Sequence, residues 1–393
     1  MFIRVLSRMV LLVAFFVVSL SLQGCDVSDG GGGGGGGGGG LTPDLPPGWS
    51  MITPGGDTTC TNGSTYQFFA RRGSVNRLLV FFEGGGACWN QLTCSLPIGP
   101  RHKVGVYTES VPQNVDDFLK VYVKGIFDFS KAENPFKHWY YVFIPYCSAD
   151  VHIGDSFVEY EEPILEIKTT IQHRGQKNVT SALDWIYKGF KKPEKILAAG
   201  CSAGSVGCIG WAPYIMDHFS ESENYQLGDS FVGVMTEGLF TEALPSWDIW
   251  GLFSGSPVPG LTKPDLIAHK DTMMAYVYIK SAEHFTTNTF SQYNSEYDQV
   301  QTAFYELSEG QGGVKEWSKK MNLYIDDIHK EVTSNFVSFI GAGKQHCYLP
   351  DDDFYQKTTD GVKLRDWVAD IVNDDSPDKK VDCKNSTEGC GAS

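Results

Sequence analysis

From about Gly48 onward, short apolar runs alternate with longer amphipathic stretches. Tyr66–Arg71 and Leu78–Glu83 read as strands parted by the turn signal Arg72-Gly73-Ser74, and Trp139–Tyr146 is a third, aromatic-rich strand. Gln172–Phe190 has helical spacing through Val179, Leu183, Ile186 and Tyr187, and Lys191-Lys192-Pro193 ends it. Ile196–Ala199 is a buried strand entering Gly200-Cys201-Ser202-Ala203-Gly204, and Val206, Cys208, Ile209 and Trp211 then mark a small-residue helix. Further strands are predicted at Phe231–Met235 and Asn335–Ile340, and Leu364, Trp367, Val368 and Ile371 give a last amphipathic helix. Met273–Ser281 suits a helix or a strand. Strands interleaved with helices predict an α/β fold, its mostly parallel sheet covered by helices on both faces. With no internal repeat and no second linker, residues 48–393 read as one domain.

The segment before Gly48 has a different character. Arg4 and Arg8 precede the apolar run Met9–Leu22, which is short for a membrane span and suits a signal peptide over residues 1–24. Leu22-Gln23-Gly24-Cys25 resembles a bacterial lipobox, which implies a lipidated Cys25. Residues 25–47, with the glycine run Gly30–Gly40, then form a flexible tether. The expectation is an exported protein, lipid-anchored on the periplasmic or cell-surface face of a bacterial membrane. A formal charge of −15 over 393 residues argues against a nucleic-acid partner. Nine cysteines besides Cys25 suit disulfides in an exported chain, and the odd number leaves one thiol over. Neither a C-x₂-C pair nor H-E-x-x-H occurs, so no metal site is expected.

The chemistry centres on Gly200–Gly204. In a G-x-S-x-G elbow the serine sits on a strained strand-to-helix turn, with the next N–H facing a developing oxyanion. Ser202 is the candidate nucleophile. Leu79–Phe82 runs into Glu83-Gly84-Gly85-Gly86, where backbone N–H groups stand free of side chains, as an oxyanion loop requires. His346, on the glycine-bearing loop after the predicted strand Asn335–Ile340, is the candidate base, with His284 its rival. Asp298 is the candidate acid if Thr289–Asn294 is a strand; Glu283 takes its place if Met274–Ile279 is the strand instead. Two Gly-Asp-Ser triplets, at Gly154-Asp155-Ser156 and Gly228-Asp229-Ser230, offer a weaker hydrolase alternative.

Cys60-Thr61-Asn62-Gly63-Ser64, Leu79–Asn90, Ile144-Pro145-Tyr146-Cys147, His173-Arg174-Gly175, Gly200–Gly204, Asn294–Gln301 and His346-Cys347 follow one another in an order that resembles the pectin acetylesterase and Notum-like family. The resemblance implies an α/β-hydrolase-like fold without a cofactor and a Ser202–Asp298–His346 triad. It also implies an oxyanion hole from Gly85, Gly86 and Ala203, and disulfides Cys60–Cys147 and Cys88–Cys94. Asn294–Gln301 departs from the family's Asn-x-x-Tyr-Asp-x-x-x-Gln spacing, and Thr236-Glu237-Gly238 stands where Asp-Ser/Ala-Gly is expected. The implied activity is hydrolysis of acetyl or other short acyl esters on a carbohydrate such as pectin, with a small ester as the simplest substrate. A Notum-like esterase for longer acyl chains and an inert carbohydrate-binding lipoprotein are the alternatives. Trp89, Trp247 and Trp250 are candidate sugar platforms.

Overall fold

Nine strands form one sheet in the computed structural model, which describes residues 41–95, 107–162, 167–373, 377, 379–387 and 389–391. They are β1 (Trp49–Ile52), β2 (Phe68–Arg71), β3 (Arg77–Phe82), β4 (Tyr140–Ile144), β5 (Lys195–Cys201), β6 (Glu223–Asp229), β7 (Thr289–Ser295), β8 (Phe336–Gly341) and β9 (Lys380–Asp382). Their spatial order is β1-β2-β4-β3-β5-β6-β7-β8-β9. From β4 to β9 every neighbouring pair is parallel, while β2 runs antiparallel to both β1 and β4.

The apolar runs are continuous because both faces of the sheet are buried. Side chains alternate along a strand, so Leu78, Val80 and Phe82 of β3 enter one core while Leu79 and Phe81 enter the other. The larger core is covered by α1 (Gly175–Gly189), α2 (Ala203–His218), α3 (Met273–His284), α4 (Gln299–Leu307) and α5 (Gly313–Glu331). The second is closed by α6 (Leu364–Asn373) and by Phe118, Phe127 and Phe136 of the segment between β3 and β4. Parallel strands place all their carboxyl ends at one rim, where open α/β sheets bind ligands.

Most predicted elements are present with ends shifted by a few residues. Two differ in kind. The strand expected at Phe231–Met235 has no regular structure; its place in the sheet is taken by β6, whose polar Glu223, Asn224 and Gln226 hid it from an apolar-run criterion. Consequently Asp229-Ser230, not Thr236-Glu237-Gly238, ends the core strand. His173, expected near a helix start, ends the second strand of a hairpin formed by Ser156–Glu162 and Ile167–His173. Met273–His284 is a helix, which removes the strand alternative over Met274–Ile279. The expected signal segment, Cys25 and the glycine run lie outside the described residues. Among the described residues no helix is long and apolar enough to cross a membrane.

Candidate active site

β5 ends in the elbow. Ser202 has φ 58° and ψ −123°, a conformation costly for a side-chain-bearing residue, and α2 starts at the next position. Its N–H donates to the Asp229 carbonyl at 2.9 Å, which fixes the strained peptide against β6. Glycine is required on either side for space. A Cβ on Gly200 would strike the Gly204 carbonyl, and one on Gly204 would strike the Phe82 carbonyl of the neighbouring strand.

β3 delivers the glycine loop beside the elbow. A Cβ on Gly84 would lie 2.9 Å from that of Ser202, so only glycine lets this backbone pass. His152 Nε2–H donates to the Glu83 carbonyl at 2.8 Å, and burial pulls this imidazole down to about 4, so it stays neutral. The Glu83 carboxyl accepts the Tyr146 N–H at 2.8 Å, and loss of water pushes it up to about 8. Thr108 N–H donates to the Gly85 carbonyl and Gly86 bridges to Tyr107, which braces the loop from its far side. Gly86, Ala87 and Ala203 line the same cavity as Ser202. Gly85 is set behind them, where a Cβ would meet Thr108 and Tyr146.

The candidate acid and base follow β7 and β8. Asp298 follows β7 as the N-cap of α4 and is fully buried. Its Oδ1 accepts the Val300 and Gln301 N–H groups, each at 2.9 Å, and its Oδ2 accepts Gln301 Nε2 at 3.0 Å and His346 Nδ1 at 2.8 Å. A helix N-terminus and four donors satisfy this buried carboxylate. Gln301 Nε2 also donates to Asn294 Oδ1, and Asn294 Nδ2 to Gln292 Oε1, so a buried polar chain stands behind the acid. His346 lies beyond β8, its side chain 9% exposed. Burial lowers its affinity for a proton, but the charge and hydrogen bond of Asp298, with a smaller contribution from Asp229, outweigh this and leave its pKa raised. Because Nδ1–H donates to Asp298, Nε2 is the basic nitrogen left over, and it is buried without a hydrogen-bond partner among the described residues.

Ser202 and His346 open onto one cavity of about 80 Å³. Apart from them, Gln301 and Tyr305, its side chains are apolar, among them Trp89, Val234, Met235, Leu239, Met274 and Phe304. Much of this wall belongs to the segment between β6 and β7, which sequence reading treated as a strand and an ambiguous stretch. Trp89 and Trp247 are each 3% exposed and line this cavity, so burial rules them out as exposed sugar platforms. Trp250 carries Lys263 Nζ 4.6 Å from its ring.

The rival assignments are not supported. Glu283 and His284 are exposed on α3, and Glu283 pairs with Lys280 at 2.7 Å. Ser156 Oγ donates to the Ser246 carbonyl, and Ser230 Oγ is held between Asp229 and the Cys347 N–H, which occupies both Gly-Asp-Ser serines. The disulfides are Cys60–Cys147, Cys88–Cys94, Cys201–Cys347 and Cys383–Cys390, with Cys208 left as a buried thiol. Cys201–Cys347 was not foreseen, although its cysteines directly adjoin Ser202 and His346. Among the described residues two groupings come close enough to ligate a metal, Cys201–Asp229–Cys347 and Glu296–Cys383–Cys390, but each has both its cysteines in a disulfide.

The family profile described as pectinacetylesterase matches residues 53–241. Palmitoleoyl-protein carboxylesterase notum2 of Xenopus laevis is 27% identical over 157 residues, 38% of this chain and 29% of the relative. Pectin acetylesterase 4 of Arabidopsis thaliana is 27% identical over 164 residues, 40% of this chain and 37% of the relative. The chain thus aligns with roughly a third of the length of these curated relatives. The solved structure of the Wnt deacylase Notum from Drosophila superposes with TM-score 0.56 at 17% identity, over 86% of this chain and 96% of that one, and shares its α/β-hydrolase fold. Residues 53–241, which hold the glycine loop and the serine elbow, are thus similar to the pectinacetylesterase family.

Proposed function

We propose that the chain is a serine carboxylesterase that removes short acyl groups, acetyl foremost, from a carbohydrate ester. The observation that carries this is the small apolar cavity onto which Ser202, His346 and the backbone of Gly86 and Ala203 all open. His346 Nε2 takes the Ser202 proton as Oγ attacks the ester carbonyl, and Asp298 holds the imidazole in the tautomer this needs. The N–H groups of Gly85, Gly86 and Ala203 receive the charge that develops on the carbonyl oxygen. The imidazolium then protonates the leaving sugar oxygen, and water, deprotonated by the same nitrogen, releases the acid.

Size separates the two enzymatic readings. An apolar cavity of roughly 150 Å³ takes up benzene. At about 80 Å³ this one suits an acyl group of roughly two to four carbons. That volume favours a short acyl group over the long acyl chain in the names of the animal relatives. An acyl pocket beside a nucleophile and its base also argues against an inert binding protein. Hydrolysis of p-nitrophenyl esters from acetyl to octanoyl tests this: kcat/KM is expected to peak between acetyl and butyryl, and a peak at octanoyl would overturn the short-acyl assignment. Residues 48–393 act as one domain in this proposal. Export and anchoring through Cys25 form part of it too, supported by the amino-terminal sequence and by four disulfides among the described residues. Partition of wild-type protein, but not Cys25→Ser, into a detergent phase would show the anchor.

A further inference from the structure

The Gly228-Asp229-Ser230 triplet supplies no nucleophile, yet Asp229 is fully buried at the carboxyl end of β6, between the strand of the nucleophile and that of the acid. A buried carboxylate is retained only where donors satisfy it. Here they come from the segment that follows the base. Tyr348 and Leu349 N–H both donate to Asp229 Oδ2 at 2.8 Å. Ser230 Oγ–H donates to Oδ1 at 2.8 Å and accepts the Cys347 N–H at 2.9 Å. Three successive N–H groups after His346 therefore end on this one dipeptide. The same residue's carbonyl accepts the Ser202 N–H. Cys347 and Ser230 both have positive φ, 64° and 60°, so the turn carrying the base has no conformational preference of its own to hold it.

We propose that Asp229 is a positioning residue, common to the nucleophile and the base, that fixes the His346 turn and adds a second negative charge facing the imidazole. It touches no substrate and acts through His346 and the Ser202 peptide. This rests on the esterase reading above, because it assigns His346 the role of base. The charged groups facing His346 are Asp298, from the β7–α4 turn, and Asp229, from β6. Asp229 itself faces His346 and the hydroxyls of Tyr293 and Tyr348. The carboxylate thus steadies the imidazolium that forms when Ser202 is deprotonated.

Asp229→Asn keeps the shape and removes the charge. The expected result is a kcat for p-nitrophenyl acetate lower by about 10²-fold at unchanged KM, the loss typical of a misplaced catalytic group. The His346 midpoint, read by NMR of labelled histidine, is expected to move to lower pH. A purely structural role would not move that midpoint. Wild-type kcat, or an unmoved midpoint in folded protein, would overturn the proposal. If Asp229→Asn does not fold, Ser230→Gly decides: glycine accepts the positive φ, and the substitution deletes the hydroxyl that bridges Asp229 Oδ1 and the Cys347 N–H while keeping the Asp229 carboxylate. A several-fold lower kcat with an unmoved midpoint supports the proposal, and wild-type kcat overturns it. Repeating the titration in Ser202→Ala separates the two levels, since the Asp229 effect on His346 persists there even if Ser202 proves not to be the nucleophile.

Discussion

The site is built from two halves held by different means. The half of the proposed nucleophile, β3 with its glycine loop and β5 with its elbow, is set by steric exclusion: at Gly84, Gly200 and Gly204 only glycine lets these backbones approach. The acid–base half, beyond β7 and β8, is set by hydrogen bonds among residues distant in sequence, such as Asp298 with His346 and Ser295 Oγ with the Gln345 carbonyl. The family match over residues 53–241 covers the first half and stops before the second. A constraint written in consecutive small residues leaves a contiguous motif. One written in scattered donors and acceptors leaves little to align.

That contrast can be broken at several points. Ser202→Ala removes the nucleophile and should cut turnover of p-nitrophenyl acetate on the order of 10⁶-fold while the melting temperature stays near wild type. Asp298→Asn should cost about 10⁴-fold in kcat, because an amide cannot hold the Nδ1–H tautomer. It would show that the acid–base half matters as much as its weak motif conceals. Replacing both Cys201 and Cys347 by serine uncouples the halves, since this disulfide spans 146 residues and is the covalent link between them. A loss of about 2–4 kcal/mol in stability is expected by denaturant titration, with kcat falling beyond what the lowered stability explains. Gln301→Leu strips one donor from Asp298 and should reduce kcat about tenfold at unchanged KM, a cost on the order of 1–2 kcal/mol. The smallest effect is in the pH profile. The base must be neutral to act, and its pKa is raised, so kcat/KM should climb with pH through a midpoint above 6.5.

The fold, the glycine loop and the serine elbow were largely legible in the sequence. Apolar runs doubly buried in a parallel sheet announce themselves, as do glycines around a serine. β6 was missed because Glu223, Asn224 and Gln226 interrupt its apolar character; Gln226 is buried all the same, its Nε2 donating to Tyr278 Oη at 3.0 Å. Asp298 could be nominated but not separated from Glu283, because periodicity over Met273–Ser281 fits either element and only the fold shows Glu283 on the surface. The cavity wall between β6 and β7 has no strict period, since its residues line a pocket rather than one face of a helix or strand.

The most direct measurement is covalent labelling. Treating the full chain with a fluorophosphonate and mapping the modified peptide should place a single adduct on Ser202, absent in Ser202→Ala and formed far more slowly in His346→Ala. An adduct on another residue, or esterase turnover that survives complete modification of Ser202, would contradict acyl transfer through this elbow.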